Sequence, residues 1–180
     1  MNLLALDLAT KTGFAHGEPG GMPTWGSHKL PQTGEDYGAF GLAYEAFLSG
    51  LIQSKGVTRI VYESPILPST TTLATARKLY SLGTVTEMIA GRLGVKCHEA
   101  HMQTVRGHFI GSSRAPKHVP QKDRRAWMKT RIVGQCIARG WNVQNDDEAD
   151  ALAVFDWASA IINQKHAANT AGPLLTGTMA

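Results

Sequence analysis

The chain has 180 residues, enough for one sizeable core, and its 43% hydrophobic and 18% charged residues are ordinary for a globular domain, which excludes wholesale disorder. The longest near-apolar stretch, Ala151 to Ile162, is too short to span a membrane and is broken by Asp156. Net charge is +4 but uneven: between Arg106 and Arg131 eight Lys and Arg stand against one acid, Asp123, leaving the remainder mildly acidic.

Leu3 to Leu8 is a short apolar run with Asp7 near its end, and reads as a first strand. Gly13 marks a turn into Phe14–Ala15–His16, and the Gly17–Gly21 region a second turn. Thr24 to Leu30 completes an antiparallel meander of three strands. A helix follows, with Phe40, Tyr44, Phe47 and Leu51 on one stripe and an end near Gly56. Thr58 to Glu63 is a buried strand stopped by Pro65, with Glu63 at its C-terminal end.

The next helix, about Thr72 to Leu93, carries two apolar stripes: Leu73, Ala76, Tyr80 and Gly83 on one, and Leu82, Val85, Ile89 and Leu93 on the other. A helix apolar on two faces needs two partners, its own sheet and a second surface such as another subunit. Val95 to Glu99 is a fifth strand, Met102 to Ile110 a short helix, Gly111 to Pro120 a loop and Gln121 to Ala138 a basic helix stopped by Gly140. Asn145 or Asp146 caps a last helix that runs to about Asn163, and a small, polar tail from His166 to Ala180 is expected to be disordered. The pattern predicts one α/β domain over residues 1–163 and a tail over 164–180. Its mixed five-stranded sheet has a three-strand antiparallel meander and two parallel strands, flanked by helices, with the fourth strand laid beside the first by a right-handed crossover.

That crossover would set Asp7 beside Glu63 at the carboxyl ends of the strands, where open α/β sheets build their sites. In NDDEADALAVFDWA, Asp147 and Asp150 are three residues apart and project from one face of the last helix's first turn, a face continued inward by Val154 and Trp157. Asp146 and Glu148 are explained as acids that complement the helix dipole. Four carboxylates, Asp7, Glu63, Asp147 and Asp150, with no matching basic motif, suit hard divalent cations held by oxygen. The basic segment suits a polyanion, with a solvated helix face as the alternative. Two cysteines, Cys97 and Cys136, make no disulfide framework, and Cys97, His98, Glu99 and His101 read as a strand end, because alternate strand residues point to opposite faces. With no basic region ahead of the first apolar run, no targeting signal is expected and a reduced, cytoplasmic setting is.

LLALDLATKTGFA, IVYESP and DDEADALAVFDWA, in that order and spacing, resemble the RuvC family of Holliday-junction resolvases in the RNase H-like superfamily, over about Asn2 to Ile162. TARKLYSLGTVTEMIAGRLGV resembles the family's long central helix, and QTVRGHFIGSSRAPK its basic segment. The resemblance implies an RNase H-like fold, a homodimer, and a bacterial or phage-encoded nuclease that resolves four-way DNA junctions by phosphodiester hydrolysis. It also implies two Mg²⁺ per active site, replaceable by Mn²⁺, on Asp7, Glu63, Asp147 and Asp150. Such a pair, about 4 Å apart, clamps a scissile phosphate and needs no nucleophilic side chain. Lys117 is then the basic catalytic candidate, stabilising charge on the phosphorane or positioning the strand. Arg106, Arg114, Lys117, Lys122, Arg124 and Arg125 are the expected DNA contacts.

The chain departs from the family pattern at Leu8–Ala9 in place of Pro-Gly, at Ile66–Leu67–Pro68 in place of an aromatic wedge, and at Arg106 in place of Lys. These departures bear on junction and sequence preference. Other readings are an RNase H-like nuclease for other branched DNA or structured RNA, and a non-catalytic junction-binding protein. Four intact acids speak against the last, because carboxylates hinder phosphate binding.

Overall fold

The computed structural model describes residues 1–63 and 71–163; the wedge position and the tail lie outside them. Five strands form one sheet: β1 (Leu3–Asp7), β2 (Lys11–Gly17), β3 (Thr24–Lys29), β4 (Arg59–Glu63) and β5 (Lys96–Ala100). Five α-helices accompany them: α1 (Tyr37–Lys55), α2 (Leu73–Arg92), α3 (Met102–Ile110), α4 (Arg124–Ala138) and α5 (Asp146–Ile162). A 3₁₀ turn at Gln121–Asp123 leads into α4.

The strand order is β3-β2-β1-β4-β5, with β1 antiparallel to β2 and parallel to β4. The expected mixed sheet and the expected adjacency of the first and fourth strands are therefore both present. β1 is the central strand, and Leu3 to Leu6 are fully buried because both faces of the sheet are covered. Alternation divides those leucines between two cores. Leu3 and Ala5 join Val61, Phe109, Ile132 and Phe155 beneath α3, α4 and α5. Leu4 and Leu6 join Ile60, Tyr62, Tyr44, Leu48 and Leu82 beneath α1 and α2.

Local signals set the helix boundaries. Asp36 caps α1 by accepting a hydrogen bond from the Ala39 N–H, and Gly56 ends it in the left-handed region at φ 59°. Its inward row is Phe40, Tyr44, Leu48 and Ile52; Phe47 and Leu51, expected on that row, are only half-buried at its flank. Phe47 instead stacks on His28 of β3, with ring centroids 4.2 Å apart. In α2, capped by Thr72, the inward residues are Leu82, Thr86, Ile89 and Ala90, and the Thr86 hydroxyl bonds the Tyr44 hydroxyl at 2.7 Å. The expected second stripe is divided. Leu73 and Tyr80 are 68% and 63% exposed, while Gly83 sits over the Tyr62 ring.

α5 is buried on almost every side, against β1, β2, α3 and α4. Val154 is fully buried and Trp157 half-buried, as the sequence pattern requires. One expectation is overturned. Gly13 is not in a turn but inside β2, directly opposite Asp7. A Cβ there would lie 1.9 Å from the Asp147 carbonyl oxygen, so the glycine is the gap through which the first turn of α5 reaches the sheet.

Candidate active site

Parallel pairing puts Asp7 and Glu63 in register at the carboxyl ends of β1 and β4. Asn145 fixes where α5 begins: its side-chain oxygen accepts from the Glu148 N–H at 3.0 Å. The Glu148 carboxylate reaches back to the Gln144 N–H at 2.8 Å and the Asn145 Nδ2 at 3.0 Å. This reciprocal cap satisfies amides that the helix start leaves orphaned. Glu148 is more than the dipole complement the sequence suggested, because it is buried and also accepts from the Ser27 hydroxyl of β3 at 3.4 Å. The cap and the Gly13 gap together present Asp147 and Asp150 to the strand ends.

All four acids line one open cleft of ≈ 940 Å³. Arg106 of α3, Arg114 and Lys117 of the following loop, and Arg124, Arg125 and Lys129 of α4 line it too. Lys122 does not, although it was expected beside Arg124; it lies exposed on the 3₁₀ turn at the start of α4. Lys117 and Arg114 are solvent-exposed at the rim. Arg106 is half-buried, and its Nε has no hydrogen-bond partner among the described residues. Asp146 also borders the cleft, but it is ion-paired with Lys129 and lies in the first turn of α5.

The electrostatics of the cleft are those of uncompensated negative charge. Burial raises the Asp7 carboxyl well above its ordinary pKa, and the charges of Asp150, Glu63 and Asp147 raise it further. Glu63 is pushed up to about 7 by burial and by Asp150, with the Arg106 guanidinium opposing. Asp150 is also raised, mainly by burial, against the opposing charges of Arg106 and Lys129. Such a set takes up either protons or a cation.

The donors fit a hard divalent ion in chemistry: oxygen atoms only, on three converging elements, repelling one another. They are not closed around one point. Among the described residues no three His, Cys, Asp or Glu side chains stand close enough to hold an ion as they lie. Asp147 is instead engaged by Lys11 at the start of β2, with Nζ 3.2 Å from Oδ2. The sequence offered no sign of that pair, nor of the Ser27 link. Gly13 did carry a signal, since a glycine inside a strand marks a close approach of other backbone. The reading of Cys97 to His101 as a strand end agrees with the fold: Cys97 packs toward the α1–α2 core while His98 is exposed.

A five-stranded mixed sheet with this order, with acids at the ends of its two central parallel strands and at the start of the helix packed over them, defines the RNase H-like fold. Among solved structures, the chain is similar to Thermus thermophilus RuvC, with a TM-score of 0.62 at 15% identity over 90% of this chain and 96% of that one. It is also similar to T. thermophilus RuvC in complex with Holliday junction substrate, with a TM-score of 0.67 at 13% identity over 92% and 97%. The yeast mitochondrial Holliday junction resolvase Ydc2 matches with a TM-score of 0.57 at 16% identity over 96% and 84%. No protein-family model matches the chain, and neither does any curated sequence. The fold implied by the sequence motifs is thus the fold of the RuvC resolvases, reached here with few shared residues.

Proposed function

We propose that the chain is a metal-dependent structure-specific endonuclease that resolves four-way DNA junctions, with residues 1–163 as its nuclease domain. The observation that carries this reading is the cleft itself, in which Asp7, Glu63, Asp147 and Asp150 stand beneath a rim of Arg and Lys. A site for binding phosphate alone would gain nothing from buried acids. The same cleft in a nuclease needs both signs of charge, the basic groups for the DNA backbone and the acids for the catalytic cation.

Asp7, Glu63, Asp147 and Asp150 would hold Mg²⁺, or Mn²⁺ in its place. When bound, such ions supply an activated water and neutralise charge on the phosphate. The protein's part is positional. Register fixes Asp7 against Glu63, and the Asn145–Glu148 cap fixes Asp147 and Asp150. Arg106 approaches the acids from α3, and its guanidinium charge at the cleft lining suits a phosphate oxygen. Lys117, on the exposed rim, is placed to meet a backbone that lies across the opening. Arg114, Arg124 and Arg125 extend this surface, and Lys122 continues it outside the cleft.

A four-way junction is favoured over other branched DNA or structured RNA by the exposed stripe of α2. Leu73 and Tyr80 give a second copy an apolar surface, and a two-fold dimer matches a two-fold substrate. The other stripe belongs to the protomer core: Leu82 is fully buried and Val85 packs against the α1–α2 cluster. Tyr80→Glu is therefore the variant expected to give monomers by sedimentation.

The deciding experiment is cleavage of four-way, three-way and duplex DNA by the purified protein, with and without Mg²⁺. Paired, symmetric nicks in the four-way junction that need Mg²⁺ are expected. Equal cleavage of duplex, or none of any DNA with Mg²⁺ present, would overturn the assignment.

A further inference from the structure

Of the four acids, Asp147 alone has a direct ion-pair partner among the described residues. Lys11 reaches it for a structural reason. Lys11 is two residues before Gly13 on β2, and Gly13 is where the main chain of α5 touches the sheet. The close approach that seats the first turn of α5 thus also brings the Lys11 ammonium within 3.2 Å of the Asp147 carboxylate. The pair is accessible rather than sealed: the Lys11 side chain is 42% exposed and that of Asp147 22%. Lysine suits a displaceable partner, because its ammonium sits on a flexible stem and its exposed pairs are weak.

We propose that Lys11 is an internal counter-cation that holds Asp147 in the metal-free protein, and that a divalent ion must displace it to load the cleft. The inference rests on the metal-dependent reading above and assigns a positioning role to a residue outside the four-acid set. Two observations support it together. The acid set is not closed around one point, and the one acid with a direct partner is held by a lysine from outside the cleft lining.

The competition has a direct readout that needs no DNA. Mn²⁺ binding to the whole protein is measured by calorimetry for wild type, Lys11→Gln, Lys11→Arg and Lys29→Gln. Lys29 is paired with Lys11 in the β2–β3 register and is exposed, so its loss removes the same charge one strand away without touching Asp147. Lys11→Gln is expected to tighten Mn²⁺ binding by roughly two- to fivefold, the range of a partly exposed ion pair. Lys11→Arg and Lys29→Gln should stay near wild type. The rise in melting temperature on adding Mg²⁺ should be larger for Lys11→Gln, whose metal-free form has lost a partner for Asp147. Unchanged or weaker Mn²⁺ binding by Lys11→Gln would overturn the inference, as would an equal gain in Lys29→Gln. A wild-type protein that takes up no Mn²⁺ would remove the metal-dependent reading itself, a separate result from wild type and Lys11→Gln binding it equally.

Discussion

The first turn and the middle of α5 handle buried carboxylate in opposite ways. At its first turn Asp150 faces Asp7 and Glu63, and the pKa values of all three are raised. Further along the same helix Asp156 is only 2% exposed, yet its pKa is lowered. Burial alone would raise Asp156 too; a hydrogen bond from His108 Nε2 at 2.9 Å and the guanidinium of Arg139 outweigh it. Arg139 is itself held between rings, 4.6 Å from the centroid of Phe109 and 5.4 Å from that of Trp141. Matched charge in the interior is part of the fold's construction, whereas unmatched charge in a cleft is a site waiting for a partner.

Breaking each of the two should therefore fail in a different way. Asp7→Asn, Glu63→Gln, Asp147→Asn and Asp150→Asn are each expected to lower Mg²⁺-dependent cleavage by more than about a hundredfold, since even the outer partners of metal ligands cost 10–100-fold. Junction binding should stay intact or tighten, and Asp7→Asn should raise the melting temperature of the metal-free protein by relieving repulsion. Asp146→Asn, at a carboxylate ion-paired with Lys129, should stay within a few-fold of wild type in the same assay. A variant of the four that turns over normally would remove that residue from the metal set.

Asp156→Ala should do the reverse. It strands Arg139 in the α3–α4–α5 core, and loss of one partner from a buried pair costs about 3–5 kcal/mol. Urea unfolding should register that loss, while enough protein remains folded at low temperature for Mn²⁺ affinity to be near normal. A large change in Mn²⁺ affinity would show that the two carboxylate sites on the helix are coupled.

Acid titration sharpens the same contrast. The native cleft binds protons more tightly than the unfolded chain, so metal-free stability should rise as the pH falls from about 7, the Glu63 value, toward the ordinary 4.5. Asp156 acts the other way: its contribution is full above its ordinary pKa of 3.8 and is lost as the pH falls through the lower native value. Metal-free protein should therefore be most stable in mild acid, and saturating Mg²⁺ should move that maximum toward neutral pH. Thermal melts across pH 3 to 8, with and without Mg²⁺, measure both limbs.

The smallest effect belongs to the rim. Neutralising Lys122, Arg124 and Arg125 together should flatten the log–log dependence of junction affinity on salt by roughly 0.9 for each phosphate no longer neutralised, leaving Mn²⁺ affinity nearly unchanged. Lys117→Ala should lower turnover more than binding. Identical salt slopes for wild type and the triple variant would mean that this segment is a solvated helix face.

Much of this was legible in order and spacing. LLALDL and TRIVYE read as strands from their apolar and β-branched runs, and strand order followed from the meander and one right-handed crossover. That sufficed to put Asp7 beside Glu63, and the three-residue spacing of Asp147 and Asp150 put them on one helical face. Periodicity erred where several apolar residues share a helix. Phe47 and Leu51 lost the inward row of α1 to Leu48 and Ile52, because the sheet beneath, not the helix, chooses which direction is inward.

What only tertiary structure decided lies between elements distant in sequence. Gly13 looks like a turn residue until α5 arrives over it, 134 residues later, at Asp147. Lys11 looks like one more surface lysine, and Glu148 like one more acid at a helix start, until β2 and β3 pass beside them. Asp156 appears in the sequence as an interruption in an apolar run, and its partners come from α3 and from the end of α4. Local sequence fixes where a side chain points along its own strand or helix. Whether a buried charge is matched or left open depends on which distant chain segments are packed against it, and that is settled only when the sheet and helices close.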